Sequence, residues 1–182
     1  MADYLTSACA GSDFGTFAAY EINNCDFLES DIVALGLTTP GTTLSCVSDL
    51  TEVNTAITAR TFQVVTGIGT LNDPTQNTID VPFRYGPTVI TKDLTQVINF
   101  DAPFIPENHE FWDELIQAET VGQAFYATAA GLVFQMRGTV ALTGGYADNG
   151  GIQVVRVSLT RNYKGLDRPF QALGPIFGAN AA

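Results

Sequence analysis

A single histidine, His109, stands between Asn108 and Glu110, and an imidazole beside a carboxylate is the simplest general base a chain can offer. No serine or cysteine nucleophile signature accompanies it, so the residues favour a surface histidine in the first turn of a helix. Carboxylates at Asp80, Asp93, Asp101, Glu110, Asp113 and Glu114 are the raw material for the acid and base pair of a glycosidase. With nineteen acidic residues in a chain of 182, some close pair arises by chance. The run Asp148-Asn149-Gly150-Gly151 has oxygen ligands for calcium, but it is shorter than an EF-hand loop and lacks the closing Glu; turn chemistry accounts for it. Cys9, Cys25 and Cys46 are odd in number and irregular in spacing, which fits neither a disulfide framework nor a CxxC metal site and predicts buried thiols. Phosphate-cradling and His-Glu-x-x-His motifs are missing from the sequence. The expectation is a protein that is not an enzyme, with no catalytic residues, no cofactor and no metal.

The elements that would position any site are those of one domain. A length of 182 residues suits a single core with extended arms, and a hydrophobic fraction of 46% excludes a disordered chain. No run of eighteen apolar residues is present, so no membrane helix and no membrane partner are expected. The first residues lack the basic and apolar regions of a secretory signal, which predicts synthesis and retention in a cytoplasm. A net charge of −11 opposes binding to nucleic acid, because Lys and Arg contacts to phosphate supply most of that affinity. The same physics lets an acidic surface face DNA without adhering to it.

Residues 1–50 read as an irregular N-terminal region or arm, with a short strand or helical turn at 31–35. Residues 54–67 are β-branched and alternate, which predicts a strand carrying Ala56, Thr58, Arg60, Phe62 and Val64 on one face. After a turn at 72–74, residues 78–85 read as an edge strand because Pro82 removes a ladder donor. Residues 88–100 are extended, with Leu94, Gln96, Ile98 and Phe100 sharing a face. A helix over 107–120 presents the i, i+4 pairs Phe111 with Leu115 and Trp112 with Ile116, and Gly122 is placed to end it. Two long strands over 131–163 form a hairpin. One carries Leu132, Phe134, Met136, Val140 and Leu142 inward, the other Val155, Val157 and Leu159, and a flexible Gly-rich loop over 144–151 joins them. Arg137, Arg156 and Arg161 fall on or near the polar faces. Residues 166–182 are apolar and proline-punctuated, an arm that needs a docking place. The fold class is therefore mainly β: an antiparallel β-sandwich or partial barrel with one short α-helix, a long β-hairpin, a core domain over 51–165, and N- and C-terminal arms.

The order helix, long strand, Gly-rich loop, long strand between residues 106 and 165, ending Ser158-Leu159-Thr160-Arg161-Asn162-Tyr163-Lys164-Gly165, resembles the tail tube subunit of long-tailed bacteriophages and contractile injection systems. The resemblance is one of architecture, without a signature motif. It implies a structural virion protein, assembled in the host cytoplasm. Copies of the chain would form stacked rings, commonly hexameric in that family, alongside other virion proteins. The hairpins would join into a barrel through which DNA passes without specific binding, with Asp148 among the residues supplying its acidic lining. Assembly contacts are expected at Leu166, Phe170, Leu173, Ile176, Phe177, Phe134 and Val157. The irregular Cys-bearing N-terminal region departs from the pattern, and leaves a capsid decoration or tail completion protein as an alternative. A β-sandwich module binding carbohydrate or protein through Tyr85 and Tyr146 is the alternative from another class, and a carboxylate-pair hydrolase the most distant.

Overall fold

A computed structural model of the chain describes residues 31–45, 50–83 and 86–170. In chain order the elements are β1 (Ile32–Thr38), α1 (Leu50–Thr58), β2 (Phe62–Leu71), β3 (Thr75–Phe83) and β4 (Gly86–Pro103). A 3-10 turn (Pro106–Asn108) leads into α2 (His109–Gln117). Then follow β5 (Thr120–Val121), β6 (Ala124–Thr128), β7 (Val133–Gln135), β8 (Val140–Asn149), β9 (Ile152–Tyr163) and β10 (Arg168–Phe170). The protein is mainly β, as its sequence predicts. All ten strands join one antiparallel sheet in the order β10-β7-β6-β1-β2-β4-β9-β8-β5, with β3 paired to β4 alone.

The sheet curls until its β5 end lies beside β6, because β5 and β6 are successive pieces of one segment, 120–128. Val121 pairs with Val140 of β8, and two residues later the chain has crossed to β1. At the crossing the Thr38 N–H donates to the Gln123 carbonyl at 3.0 Å, and the Gly122 N–H to the Thr38 carbonyl at 3.3 Å. The Gln123 N–H donates to Thr38 Oγ1 at 2.6 Å, and that hydroxyl donates onward to the Thr42 carbonyl at 2.9 Å. The result is a partial barrel. Its interior is apolar: Ile32, Leu35, Ile98, Phe100, Leu142, Val157 and Leu159 are fully enclosed, and Trp112 and Leu115 of α2 cover one end. Phe100 fits because it crosses strands whose inward positions are glycine. A Cβ on Gly67 or Gly69 would lie 2.7 Å from its ring.

A second apolar cluster lies on the other side of β1, where Val53 and Ala56 of α1 meet Phe62, Phe125 and Val133. This explains why β1 is buried on both faces, and it places β1, within the region read as an arm, between β2 and β6 at the heart of the sheet.

Three sequence expectations are corrected. Residues 54–58 are helical, not extended: Val53 and Ala56 are spaced i, i+3 for one face, and the Thr55 and Thr58 hydroxyls bond back to the carbonyls of Thr51 and Asn54. The alternating strand starts only at Phe62. Residues 144–151 do not form an open loop. Strand pairing continues to Asn149 opposite Ile152, leaving a two-residue turn of Gly150 and Gly151 at φ +63° and +86°, the primed turn that matches strand twist. The strand expected over 131–143 is broken between β7 and β8. The edge assignment of β3, the shared face of Gln96, Ile98 and Phe100, and the helix with Trp112 and Leu115 inside all stand. That helix is shorter than expected, ending at Gln117 with Glu119 left-handed at φ +57°.

Gly122 therefore does not cap the helix. It permits the crossing, since a Cβ there would sit 2.2 Å from the Thr42 carbonyl and 2.7 Å from Thr38 Oγ1. Gly122→Ala is expected to lower unfolding stability by about 1–3 kcal/mol, whereas Gly145→Ala, with nothing within 4 Å, should stay within about 0.5 kcal/mol of the parent. Urea denaturation of the two variants checks the contrast, and equal stabilities would remove the junction from the account.

Candidate assembly interface

The outward face of β2, β4, β9 and β8 is built in rows set by strand register. One row runs Ile68, Asp101, Arg156, Gly145; the next runs Thr70, Asn99, Ser158, Thr143; a third runs Val97, Thr160, Ala141, Thr120. Alternation dictates this pattern, because the partners of these residues one step along each strand fill the barrel. Hydrogen bonds run along this face between paired strands. The Ser158 hydroxyl donates to Asn99 Oδ1, Thr95 donates to Asn162 Oδ1 at 2.6 Å, and Asn77 Nδ2 donates to Thr95 at 2.7 Å and to Asp93.

The one cation in these rows is neutralised in place. Arg156 makes two hydrogen bonds of 2.7 Å to the Asp101 carboxylate, and Asn149 adds a third at 3.1 Å. The hydrogen bond from Arg156 is the main influence holding the Asp101 carboxyl below its usual range, and its reciprocal raises Arg156. The rows thus present hydroxyls, amides and small apolar groups with no net charge, a surface that neither grips nor repels phosphate.

The two sides of this sheet are open. β3 has no strand on its outer side, and β8 from 143 to 149 has none beyond β9 among the described residues. In the order β3-β4-β9-β8 the strands alternate in direction, so the two open edges run opposite ways. One copy's β8 can therefore add to another's β3 as an ordinary antiparallel pair.

Arg161 departs from the expectation of a polar-face residue. It follows Val155, Val157 and Leu159 on the inward parity of β9 and is 2% exposed. Its Nε lies 2.7 Å from Asp167 Oδ1 as an ion pair, although the N–H is not aligned as a hydrogen bond, while its terminal nitrogens donate to Gln96 and to the Gly165 carbonyl. Tyr126 donates to the other Asp167 oxygen at 3.1 Å. Burial raises the Asp167 carboxyl despite the opposing pull of Arg161, and burial with the nearby Asp167 charge raises the Tyr126 phenol, keeping it a donor. Arg137 lies over the Tyr163 ring at 4.5 Å.

Of the residues expected to carry assembly, Phe134 and Phe170 fall on the paired strands β7 and β10, with Leu166 shortly before β10, while Val157 lies apart on β9. Leu166 is 83% exposed, Phe134 is half-buried and stacked on Tyr126 at 5.2 Å, and Val157 is wholly enclosed in the barrel, leaving it no surface to offer. Phe170 closes β10, opposite Val133. Leu173, Ile176 and Phe177 lie outside the described residues, as do Cys9, Cys25, Cys46 and Tyr85. Tyr146 packs edge-on against Phe104 at 5.1 Å, near His109. Among the described residues no cluster of three or more His, Cys, Asp or Glu side chains forms a metal cage. Asp148 accepts the Gly151 N–H at 3.1 Å, which is the turn chemistry its sequence suggests. Sequence reasoning missed the open edges, since they depend on which strands pair. It also missed the Arg161–Asp167 pair, which the inward parity of Arg161 does signal.

Removing one member of that pair strands a buried charge, so Asp167→Ala should cost about 3–5 kcal/mol, while Arg161→Met with Asp167→Leu should cost clearly less. Equilibrium unfolding of the single and double variants tests this ordering, and a double variant worse than the single would contradict it. The sequence matches no protein-family model, and no curated protein shows significant similarity to it.

Proposed function

We propose that this chain is a non-enzymatic structural subunit that assembles with copies of itself into stacked rings, forming the tail tube of a virion through which DNA passes. The observation that supports this reading best is the pair of open edges of opposite direction, β3 on one side of the β4–β9 ladder beside residues 86–95 of β4, and β8 on its other side beyond β9. A sheet with such edges repeats laterally by strand addition, in a head-to-tail manner that closes into a ring when the rotation allows. A closed ring covers both edges, which are otherwise templates for uncontrolled pairing.

The rows of Thr, Ser and Asn on the outward face would then line the channel. DNA needs no acidic coating to move there, because the paired Arg156 offers no free cation to phosphate. The acidic excess of the chain serves solubility.

Electron microscopy of the purified protein should show rings or tubes. On assembly, hydrogen exchange should slow at the backbone amides of 75–79 and 143–149 relative to the dissociated chain. A protein that stays monomeric at high concentration, or rings in which exchange at both edges is unchanged, would refute the lateral contact.

A further inference from the structure

β2 is the strand that the sheet leaves half paired. The Thr39 N–H donates to the Thr61 carbonyl and the Asn72 N–H to the Val97 carbonyl, so the odd residues of β2 turn their main-chain groups to β1 and the even ones to the β4 side. β4 accompanies β2 only over Ile68 to Leu71. The next rung would set Thr66 opposite Pro103, which has no N–H to give, and the Phe104 N–H donates to the Gln153 carbonyl at 3.3 Å instead. Val64 and Thr66 are left with N–H and C=O groups that no main-chain partner takes up among the described residues. Residues 63–67 are all half-buried, without the alternation of a strand covered on one face.

This edge faces a groove of about 520 Å³ whose other wall is the 3-10 turn and α2. Gln63, Val64, Val65 and Thr66 all line it, and four consecutive residues of a strand share a wall only where that wall is the strand's edge. Opposite stand Phe111, half-buried, and Glu107, Glu110 and Glu114, all three exposed. None of the glutamates has an ion-pair partner among the described residues, so Arg60, the cation that shares the groove, does not neutralise them. The walls match in length: residues 63–66 cover about 10 Å of strand and residues 107–114 about 11 Å of helix.

We propose that this groove binds an extended basic segment of another protein, which adds a strand to the open β2 edge at Val64 and Thr66 and sets its basic side chains against α2. Side chains two residues apart on a strand lie about 6.7 Å apart, and Glu110 and Glu114 are about 6 Å apart along the helix, so Lys or Arg at alternate positions meets them in turn. Main-chain hydrogen bonds hold such a segment, and the glutamates choose it. This chain does not supply one. No two of its eight Lys and Arg residues are two apart, and the closest pair, Arg161 and Lys164, includes a buried side chain. Residues 1–30 carry five acids and no Lys or Arg, and residues 171–182 carry no charged side chain. Residues 75–93, whose β3–β4 hairpin projects past the point at Leu94 where β9 ends, balance Asp80 and Asp93 with Arg84 and Lys92. The occupant is therefore a different chain. The groove uses neither β3 nor β8, so binding there does not depend on self-assembly.

The probe is the peptide acetyl-Ser-Lys-Val-Lys-Val-Lys-Ser-amide, titrated into the full chain and read by the fluorescence of Trp112, the only tryptophan, which lines the groove. Binding should saturate and slow hydrogen exchange at the Val64 and Thr66 amides, while Gln63 and Val65, already bonded to β1, exchange as before. Glu110→Gln with Glu114→Gln should weaken binding at least about tenfold and leave thermal unfolding as in the parent, since both side chains are exposed. Methylating the inner main-chain nitrogens of the peptide keeps every charge and should also cost at least about tenfold. A peptide that does not bind, one that binds equally well when methylated, indifference to the two glutamine substitutions, or protection at neither Val64 nor Thr66 each overturns the site. Peptide binding by a chain that never forms rings upholds the site and overturns the self-assembly reading alone.

Discussion

The crossing at Gly122 and Gln123 is the constraint on which the fold depends. An antiparallel sheet of this length either stays open, leaving one face wet, or bends until its ends meet. Here one chain segment draws the β5 end round to β1, pairing first with β8 and then with β1, while β7 and β10 continue beyond the junction. The Thr38 main chain and hydroxyl take up the groups exposed at the bend. Gln123 also holds the following loop, accepting from the Leu44 N–H at 2.7 Å and donating to its carbonyl at 3.3 Å. Closure makes the inward residues a common core and lets α1 cover the far side of β1, so both apolar clusters follow from one crossing.

Charge is distributed according to the same division of space. Of the two arginines on β9, Arg161 has inward parity and needs a carboxylate inside, which the chain delivers six residues later as Asp167, together with Gln96 and Tyr126. A pair so enclosed is weak evidence for stability, because desolvation offsets most of the attraction. Its consequence is positional: it ties the segment after β9 back to β6 and leads directly into β10, which lies on β7. Arg156 has outward parity and is met by Asp101 across the strand pair, where water screens the interaction and little stability is gained. What it does instead is leave the outward rows without a net charge.

Local chemistry was legible in the sequence where the period was clean. The alternation of Gln96, Ile98 and Phe100, the apolar stripe of Trp112 and Leu115, and the proline that confines β3 to an edge each follow from one rule acting within a few residues. It failed where two rules compete. Thr51, Thr55 and Thr58 raise the β signal of a segment whose Val53 and Ala56 are spaced for a helix, and tertiary packing of α1 on Phe62 and Phe125 decides the outcome. The glycines at 144 and 145 read as loop residues, yet they sit in ladder positions opposite Val157 and Arg156. The candidate interface was hardly legible, because an open edge is a property of pairing. Val157, expected at an assembly contact although its parity on the strand already turned it inward, is wholly enclosed.

The groove and the projecting hairpin have one cause, the way β2 and β3 share the same side of β4. Leu71 opposite Ile98 ends one pairing and Thr75 opposite Thr95 begins the next, so the two strands lie in line with a short break at 72–74. At one end of that line β3 runs past the barrel with β4. At the other, β2 turns away from β4 beyond Gly67 to stay with β1, and its edge opens beside α2. A chain that closed β2 fully onto β4 would have no groove, and one that ended β4 at Leu94 would have no hairpin. Keeping both places an unpaired edge at each end of a single strand, out of reach of each other within one molecule.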